Sequence, residues 1–202
     1  MTIAALMCYA PPILIREKDN VASGNKLKTI DMVYIALFAV LIAVGSWISI
    51  PSAVPFTLQT LAVFCSAGLL GGKRAMLSIV VYIVLGAVGL PVFSGFNGGI
   101  GFLFGVTGGY IIGFILLALV YRVITELFGK KTVVSVAAML SGLLACYALG
   151  TAWFMAVYAK TSGPIGLTTA LGWCVIPFVI PDIIKLALAM ALTKRLAIHV
   201  KA

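Results

Sequence analysis

Long apolar runs separated by short breaks occupy most of this chain and constrain its fold more than any other feature. The runs cover residues 30–50, 54–71, 75–90, 104–127, 133–158 and 170–193. About 20 apolar residues form one helical crossing of a bilayer, where a helix satisfies its own backbone hydrogen bonds. With 63% hydrophobic and 9% charged residues in 202, the chain is far more apolar than soluble domains. We therefore predict an all-α integral membrane protein with six transmembrane helices.

The N-terminal residues differ from the rest of the chain. Residues 1–15 are apolar but contain Pro11-Pro12 and lack a basic region before the apolar run, so they are not a typical signal peptide. The longest polar stretch runs only from Arg16 to Thr29, too short for an ATP-hydrolysing domain. We predict a cytoplasmic or interfacial arm over residues 1–29 and a six-helix transmembrane domain over residues 30–202.

The basic residues predict the orientation in the membrane. Twelve of the 14 Lys and Arg residues fall on one side of a six-crossing arrangement. They are Arg16, Lys18, Lys26, Lys28, Lys73, Arg74, Arg122, Lys130, Lys131, Lys194, Arg195 and Lys201. Positive residues are retained in the cytoplasm during insertion, so both termini are predicted to be cytoplasmic. The net charge of +9 is thereby explained by topology and contact with anionic lipid, without a nucleic-acid partner.

A glycine-rich connection between the third and fourth runs is a candidate ligand-binding loop. It covers residues 89–101 and continues at Gly105-Val106-Thr107-Gly108-Gly109-Tyr110. Glycine lets the backbone approach a ligand closely, and Phe93, Phe96 and Tyr110 offer aromatic faces. A re-entrant turn with close helix packing explains the glycines equally well.

Asp182 and Lys185 are a second candidate, because charged residues inside an apolar span are costly. Their spacing of three places them on one face of a helix. Intramembrane charges commonly mark a functional site, so a polar ligand contact is predicted. A purely structural ion pair that holds the sixth span in place is the alternative.

Five short motifs follow one another along most of residues 30–195. The motifs are Val54-Pro55-Phe56-Thr57-Leu58-Gln59-Thr60, Gly86-Ala87-Val88-Gly89-Leu90-Pro91-Val92-Phe93, Asn97-Gly98-Gly99, Thr107-Gly108-Gly109-Tyr110, and Pro177-Phe178 followed by Asp182-x-x-Lys185. In this order and spacing they make the chain similar to the BioY family, the biotin-specific substrate-binding subunits (S components) of energy-coupling-factor (ECF) transporters. Two departures are Val106 and Ile180-Pro181, where the family usually has Pro and Pro-Gly.

The resemblance implies a six-helix S-component fold in the bacterial plasma membrane that binds biotin from outside and delivers it inward. The implied partners are a transmembrane coupling subunit and two cytoplasmic ATPases; no cofactor is implied. The implied substrate-binding residues are Asn97, Asp182, Lys185, Gly98, Gly99, Tyr110, Thr107 and Phe93. In chemical terms, Asp182 would accept from the ureido N–H of biotin, Asn97 would bond the ureido group or the tail, and Lys185 would neutralise the carboxylate. Backbone amides of the loop are an alternative carboxylate site.

The first span carries a face of small residues, Ala36, Ala39 and Ala43. Small residues at a spacing of four let a second helix approach closely. The resemblance implies that this face docks on the coupling subunit. Packing inside the chain explains the same spacing equally well.

Other function classes find less support in the sequence. The lone His199 lies beyond the last span and the four cysteines are scattered, so we predict no catalytic or metal site. No P-loop occurs, since the run up to Lys73-Arg74 lacks the first glycine and the Ser or Thr after the lysine. The main alternative is a proton-coupled secondary transporter of a small carboxylate-bearing vitamin, with Asp182 as proton carrier. A structural scaffold is the third class.

Overall fold

The computed structural model describes residues 27–51 and 54–196, which form a helical bundle with one short hairpin. The long helices are α1 (Thr29–Trp47), α2 (Gln59–Leu70), α3 (Gly72–Ala87), α5 (Gly108–Phe128), α6 (Thr132–Thr161) and α8 (Ile176–Leu196). Shorter helices are α4 (Ile100–Leu103), α7 (Leu167–Cys174) and a 3-10 turn at Ser94–Phe96. Strands β1 (Ser49–Ile50) and β2 (Phe56–Thr57) pair antiparallel, with Ser49 opposite Thr57.

Four helical stretches are long and apolar enough to cross a membrane in the described part of the chain. They are Thr29–Trp47, Gly108–Phe128, Thr132–Thr161 and the stretch Leu167–Leu196, which combines α7 and α8. Their outer faces are also apolar: on α1, Val33, Leu37 and Val40 are exposed. Helices that are apolar all round are typical of membrane spans, because lipid accepts the outer face.

The predicted runs correspond to these helices, with different ends. The predicted second span, 54–71, is helical only over Gln59–Leu70, because residues 54–58 are not helical and contain β2. At a rise of about 1.5 Å per residue, α2 is about 18 Å long, shorter than the bilayer core of about 30 Å. Lys73 and Arg74, predicted to follow that span, lie in the first turn of α3. The predicted sixth span is broken at Val175, between α7 and α8.

The bundle is built from close pairs of helices. α5 packs along α6, α1 packs on α2 and α3, and α2 packs on α8. Glycines allow the closest approach: a Cβ on Gly113 would lie 2.7 Å from Cys146 Sγ, and one on Gly142 would lie 2.8 Å from the Leu117 carbonyl oxygen. Small residues are a common means of helix packing in membranes, where lipid provides little hydrophobic drive for association.

One ion pair ties two helix starts together at the end of the bundle that carries Arg74. Asp31, buried in the first turn of α1, lies 3.0 Å from the Arg74 guanidinium of α3. The pair holds α1 against α3 at this end. Elsewhere in the bundle, residues before α2 and residues of α7 and α8 border a cavity. The predicted arm lies, apart from its last residues, outside the described residues, as does Cys8.

Candidate functional site

A cavity lies between residues 54–57, which precede α2, and helices α5, α6, α7 and α8. Its apolar wall is lined by Val54, Pro55, Phe102, Ile111, Phe114, Leu143 and Phe178. Its polar groups come from Thr57, Gln59, Thr60, Ser94, Thr107, Tyr110, Cys146, Tyr147, Cys174, Asp182 and Lys185. An apolar cavity with a few convergent polar groups suits a mainly apolar ligand with polar ends.

Asp182 and Lys185 form a buried ion pair at the wall of this cavity. Both stand on one face of α8, one turn apart, and Lys185 Nζ lies 2.7 Å from Asp182 Oδ1. Pro181 precedes the pair inside the helix, and Pro177 lies in its first turn. Proline is tolerated in membrane helices because neighbouring groups satisfy the freed backbone. The structure thus brings the two predicted charges to the cavity and pairs them with each other.

Strand β2 and the first turn of α2 supply further partners for Lys185. Its ammonium donates to the Thr57 carbonyl at 2.7 Å and to Thr60 Oγ1 at 3.1 Å. It also lies 4.1 Å from the centre of the Phe56 ring, a cation–π contact. An ammonium has three N–H donors, so the carbonyl, the hydroxyl and Asp182 use all of them.

The Asp182 carboxylate accepts hydrogen bonds from three different elements. Oδ1 accepts from Lys185 and from the Thr60 hydroxyl at 3.1 Å, and Oδ2 accepts from the Tyr147 hydroxyl of α6 at 2.5 Å. An ionised carboxylate has about four lone-pair sites, so capacity for one further donor remains. Hydrogen bonds and an ion pair compensate the burial of this charge, which would otherwise be costly.

Thr107 and Tyr110, both predicted, line the cavity from the start of α5. The Tyr110 hydroxyl is 2.9 Å from Thr151 Oγ1 of α6. Trp153 of α6 donates to the Gly105 carbonyl at 3.0 Å, which anchors the turn before α5. Val106, one of the two departures from the family pattern, packs against the core in this turn.

Four other predicted residues lie away from the cavity lining. Phe93 is fully buried, between Tyr82 and Phe102, with ring centroids 5.5 and 5.2 Å away. Asn97 is exposed, and its amide donates to the Ser94 carbonyl at 2.7 Å. Gly98 packs under the Leu90 carbonyl, and the Gly99 amide donates to the Gly86 carbonyl at 2.7 Å. The loop reaches the cavity through Ser94 instead.

The three alanines of the predicted docking face differ in their burial. Ala39 and Ala43 are buried in the core, whereas Ala36 is exposed. Glycine and alanine spacing alone cannot tell an inner face from an outer one, because both sides of α1 are apolar. Ala39 and Ala43 pack within this chain, as the alternative of internal packing expects, and docking on a coupling subunit stays a prediction.

Several cavity residues were not singled out from the sequence as site residues. Thr57, Gln59 and Thr60 belong to the motif at residues 54–60, which served only for the family resemblance. Tyr147 and Cys146 lie in the middle of an apolar run, where one hydroxyl and one thiol give little signal.

No group of three His, Cys, Asp or Glu side chains that could hold a metal ion occurs in residues 27–51 and 54–196.

Comparison with known proteins decides the family. The BioY family model matches residues 19–202 of this chain. The chain belongs to the BioY family. This match begins ahead of residue 30, where the predicted transmembrane domain starts.

The chain matches curated relatives over nearly the whole length of those proteins. The biotin transporter BioY of Thermotoga maritima is 43% identical over 163 residues, which is 79% of this chain and 91% of that protein. The probable biotin transporter BioY of Pyrococcus horikoshii is 37% identical over 84% of this chain and 98% of its own. The relatives are named transporters, not enzymes. Together with the four membrane-capable helices, they identify this BioY family member as a multi-pass membrane protein.

A crystal structure shares the fold. It is the S-component for biotin from an ECF-type ABC transporter, with a TM-score of 0.74 and 24% sequence identity. The match covers 85% of this chain and 94% of that chain. At this level of identity the likeness shows the fold alone, which is the S-component fold that the motifs had implied.

Proposed function

We propose that this chain binds biotin in the cavity between α2, α5, α6 and α8 and delivers it across the bacterial plasma membrane. The observation that carries the proposal is the buried Asp182–Lys185 pair at the wall of a largely apolar cavity. The relatives named as biotin transporters support the choice of ligand. Biotin matches such a cavity, since it combines an apolar bicycle with a ureido group and a carboxylate tail.

In the proposed complex, a ureido N–H donates to Asp182, whose carboxylate has one acceptor site left beside Lys185, Thr60 and Tyr147. Lys185 holds that carboxylate in place through their ion pair. A direct contact between Lys185 and the biotin tail requires one of its three hydrogen bonds to break. Thr107 and Tyr110 border the ligand from α5. Asn97 reaches it only if its hydrogen bond to Ser94 is given up.

The proposal includes six crossings with both termini in the cytoplasm. Four crossings are the membrane-capable stretches. The other two are α3 and α2, the latter together with the residues before it. The segregation of Lys and Arg supports this orientation. The partners are a transmembrane coupling subunit and two cytoplasmic ATPases, as the ECF origin of the structural neighbour suggests. No cofactor takes part.

Equilibrium binding to purified protein in detergent tests the ligand assignment. We expect saturable binding of biotin, weaker binding of desthiobiotin and none of riboflavin. Loss of a hydrogen bond to a charged group costs about 1.5–3 kcal/mol, so Asp182→Asn and Lys185→Ala should weaken binding about ten- to a hundredfold. Lys194→Ala, at an exposed position on the same helix, is the matched control and should bind as wild type does.

Absence of biotin binding by folded wild-type protein would contradict the assignment. Uptake into cells then separates the two transport mechanisms. The ECF proposal requires coupling subunit and ATP and predicts no effect of a protonophore at constant ATP. Uptake that collapses with the protonophore would favour the proton-coupled alternative.

A further inference from the structure

A groove on the surface of α6 shares no lining residue with the Asp182–Lys185 cavity. It is lined by Trp153, Ala156, Val157, Lys160 and Thr161 of α6 and by Phe104, which precedes α5. The α6 residues recur at spacings of three and four, so they lie on one face of the helix. At a rise of about 1.5 Å per residue, Trp153 and Lys160 are about 10 Å apart along the helix axis. The groove therefore changes from apolar at Trp153 to cationic at Lys160.

The length of α6 brings the cationic end of this groove to the membrane surface. With 30 residues, α6 is about 45 Å long, which matches the thickness of about 40–45 Å of a bilayer with its headgroups. Lys131 precedes the first residue of α6, and Lys160 lies in its last turn. The two lysines therefore lie in opposite headgroup layers. Trp153 lies about 10 Å deeper than Lys160, close to the boundary with the hydrocarbon core, where tryptophan is enriched.

The ammonium of Lys160 is the charged group of this groove. Lys160 is exposed, and its side chain has no hydrogen bond or ion pair within residues 27–51 and 54–196. The other donors of the groove are occupied. Trp153 Nε1 donates to the Gly105 carbonyl at 3.0 Å, and the Thr161 hydroxyl donates to carbonyls of its own helix. An anion at this end of the groove would therefore be bound by Lys160.

We infer that this groove binds one phospholipid with an anionic headgroup. The phosphate lies at Lys160 and one acyl chain lies against Trp153 and Phe104, because a phospholipid has the same order of charged and apolar parts as the groove. A soluble anion would pair with the lysine and leave the aromatic residues uncovered. The inference depends on the membrane class of the chain and is independent of the ligand in the Asp182–Lys185 cavity.

Native mass spectrometry of the full chain in detergent tests the site, with phosphatidylglycerol and phosphatidylcholine of identical acyl chains as probes. We expect wild type to retain one phosphatidylglycerol in preference to phosphatidylcholine, whose choline compensates the phosphate charge. Lys160→Gln should lower the affinity for phosphatidylglycerol about fivefold, the attraction of one lysine to an anionic headgroup. Lys160→Arg keeps the charge and should keep the affinity. Ala156→Phe, at an exposed position, fills the groove and should also lower retention of the lipid.

Lys131→Gln is the matched control, because Lys131 is also exposed and lies at the other end of α6. It should retain the lipid as wild type does. Equal affinity of wild type and Lys160→Gln would overturn the inference, as would equal losses in Lys160→Gln and Lys131→Gln, since charge alone would then attract the lipid. Unchanged retention by Ala156→Phe, or displacement of the lipid by glycerol phosphate, which has the charge without acyl chains, would reject the apolar part of the site. A lower unfolding midpoint of Lys160→Gln in lipid-free detergent would assign the lysine to the fold instead.

Discussion

The buried pair Asp182–Lys185 allows a sharp test of how this bundle tolerates charge. The two side chains are 4% and 6% exposed and 2.7 Å apart. Removing one partner of such a pair leaves an uncompensated buried charge and costs about 3–5 kcal/mol. Lys185→Met keeps the length of the side chain and removes the charge. For a chain of this size, that cost corresponds to a fall in the unfolding midpoint of about 6–20 °C.

The double variant Asp182→Asn/Lys185→Met should recover most of this loss. Both charges are then gone, and the asparagine oxygen can still accept from Tyr147 or Thr60. Replacing a buried pair by uncharged residues of similar volume is often neutral in free energy. We therefore expect the double variant within about 1 kcal/mol of wild type, with biotin binding lost. The coupling between the two positions is the measured quantity.

Thermal unfolding in detergent, followed by tryptophan fluorescence, measures the four proteins of this cycle. Glu126→Gln is a matched control, because in its ion pair with Arg122 the glutamate is exposed and the arginine only half-buried, so the pair should contribute less than about 1 kcal/mol. A double variant as unstable as the sum of the two single variants would refute the reasoning. So would a Lys185→Met variant as stable as the control.

Two further predictions concern packing. Gly86→Ala places a methyl group against the ring of Phe93, so it should destabilise the protein by about 1–3 kcal/mol in thermal unfolding. Gly101→Ala is the control and should have no such effect, because no atom lies within 4 Å of the added methyl group. Equal unfolding midpoints for the two variants would contradict this packing. Ala39 lies in the core, so Ala39→Trp should lower the free energy of unfolding by about 3 kcal/mol or more and weaken biotin binding. Ala36 is exposed, so Ala36→Trp should fold and bind biotin but co-purify less with the coupling subunit. A folded Ala39→Trp protein with normal biotin binding would show that α1 packs differently.

Some residues of the polar network at the cavity could be predicted from the sequence, and others could not. Asp182 and Lys185 are conspicuous because charge inside an apolar run is rare and costly. Thr57 contributes a backbone carbonyl, which every residue possesses, and Tyr147 contributes a hydroxyl from the middle of a long helix. Neither has a local signature. Asn97 shows the reverse: its motif is distinctive, but its amide donates to the Ser94 carbonyl and Asn97 itself does not line the cavity.

From the sequence alone follow the membrane class, the helical character, the family and the two charges of the site. Those properties depend on local composition and spacing, because a run of apolar residues or a charge within it has the same meaning in any tertiary arrangement. The tertiary structure decided that Ala39 faces inward and that residues 54–58 stay outside α2, where the Thr57 carbonyl bonds Lys185. Those properties depend on which elements meet. In a chain whose helices are apolar on every side, the periodicity of the sequence does not distinguish the inner face from the lipid face.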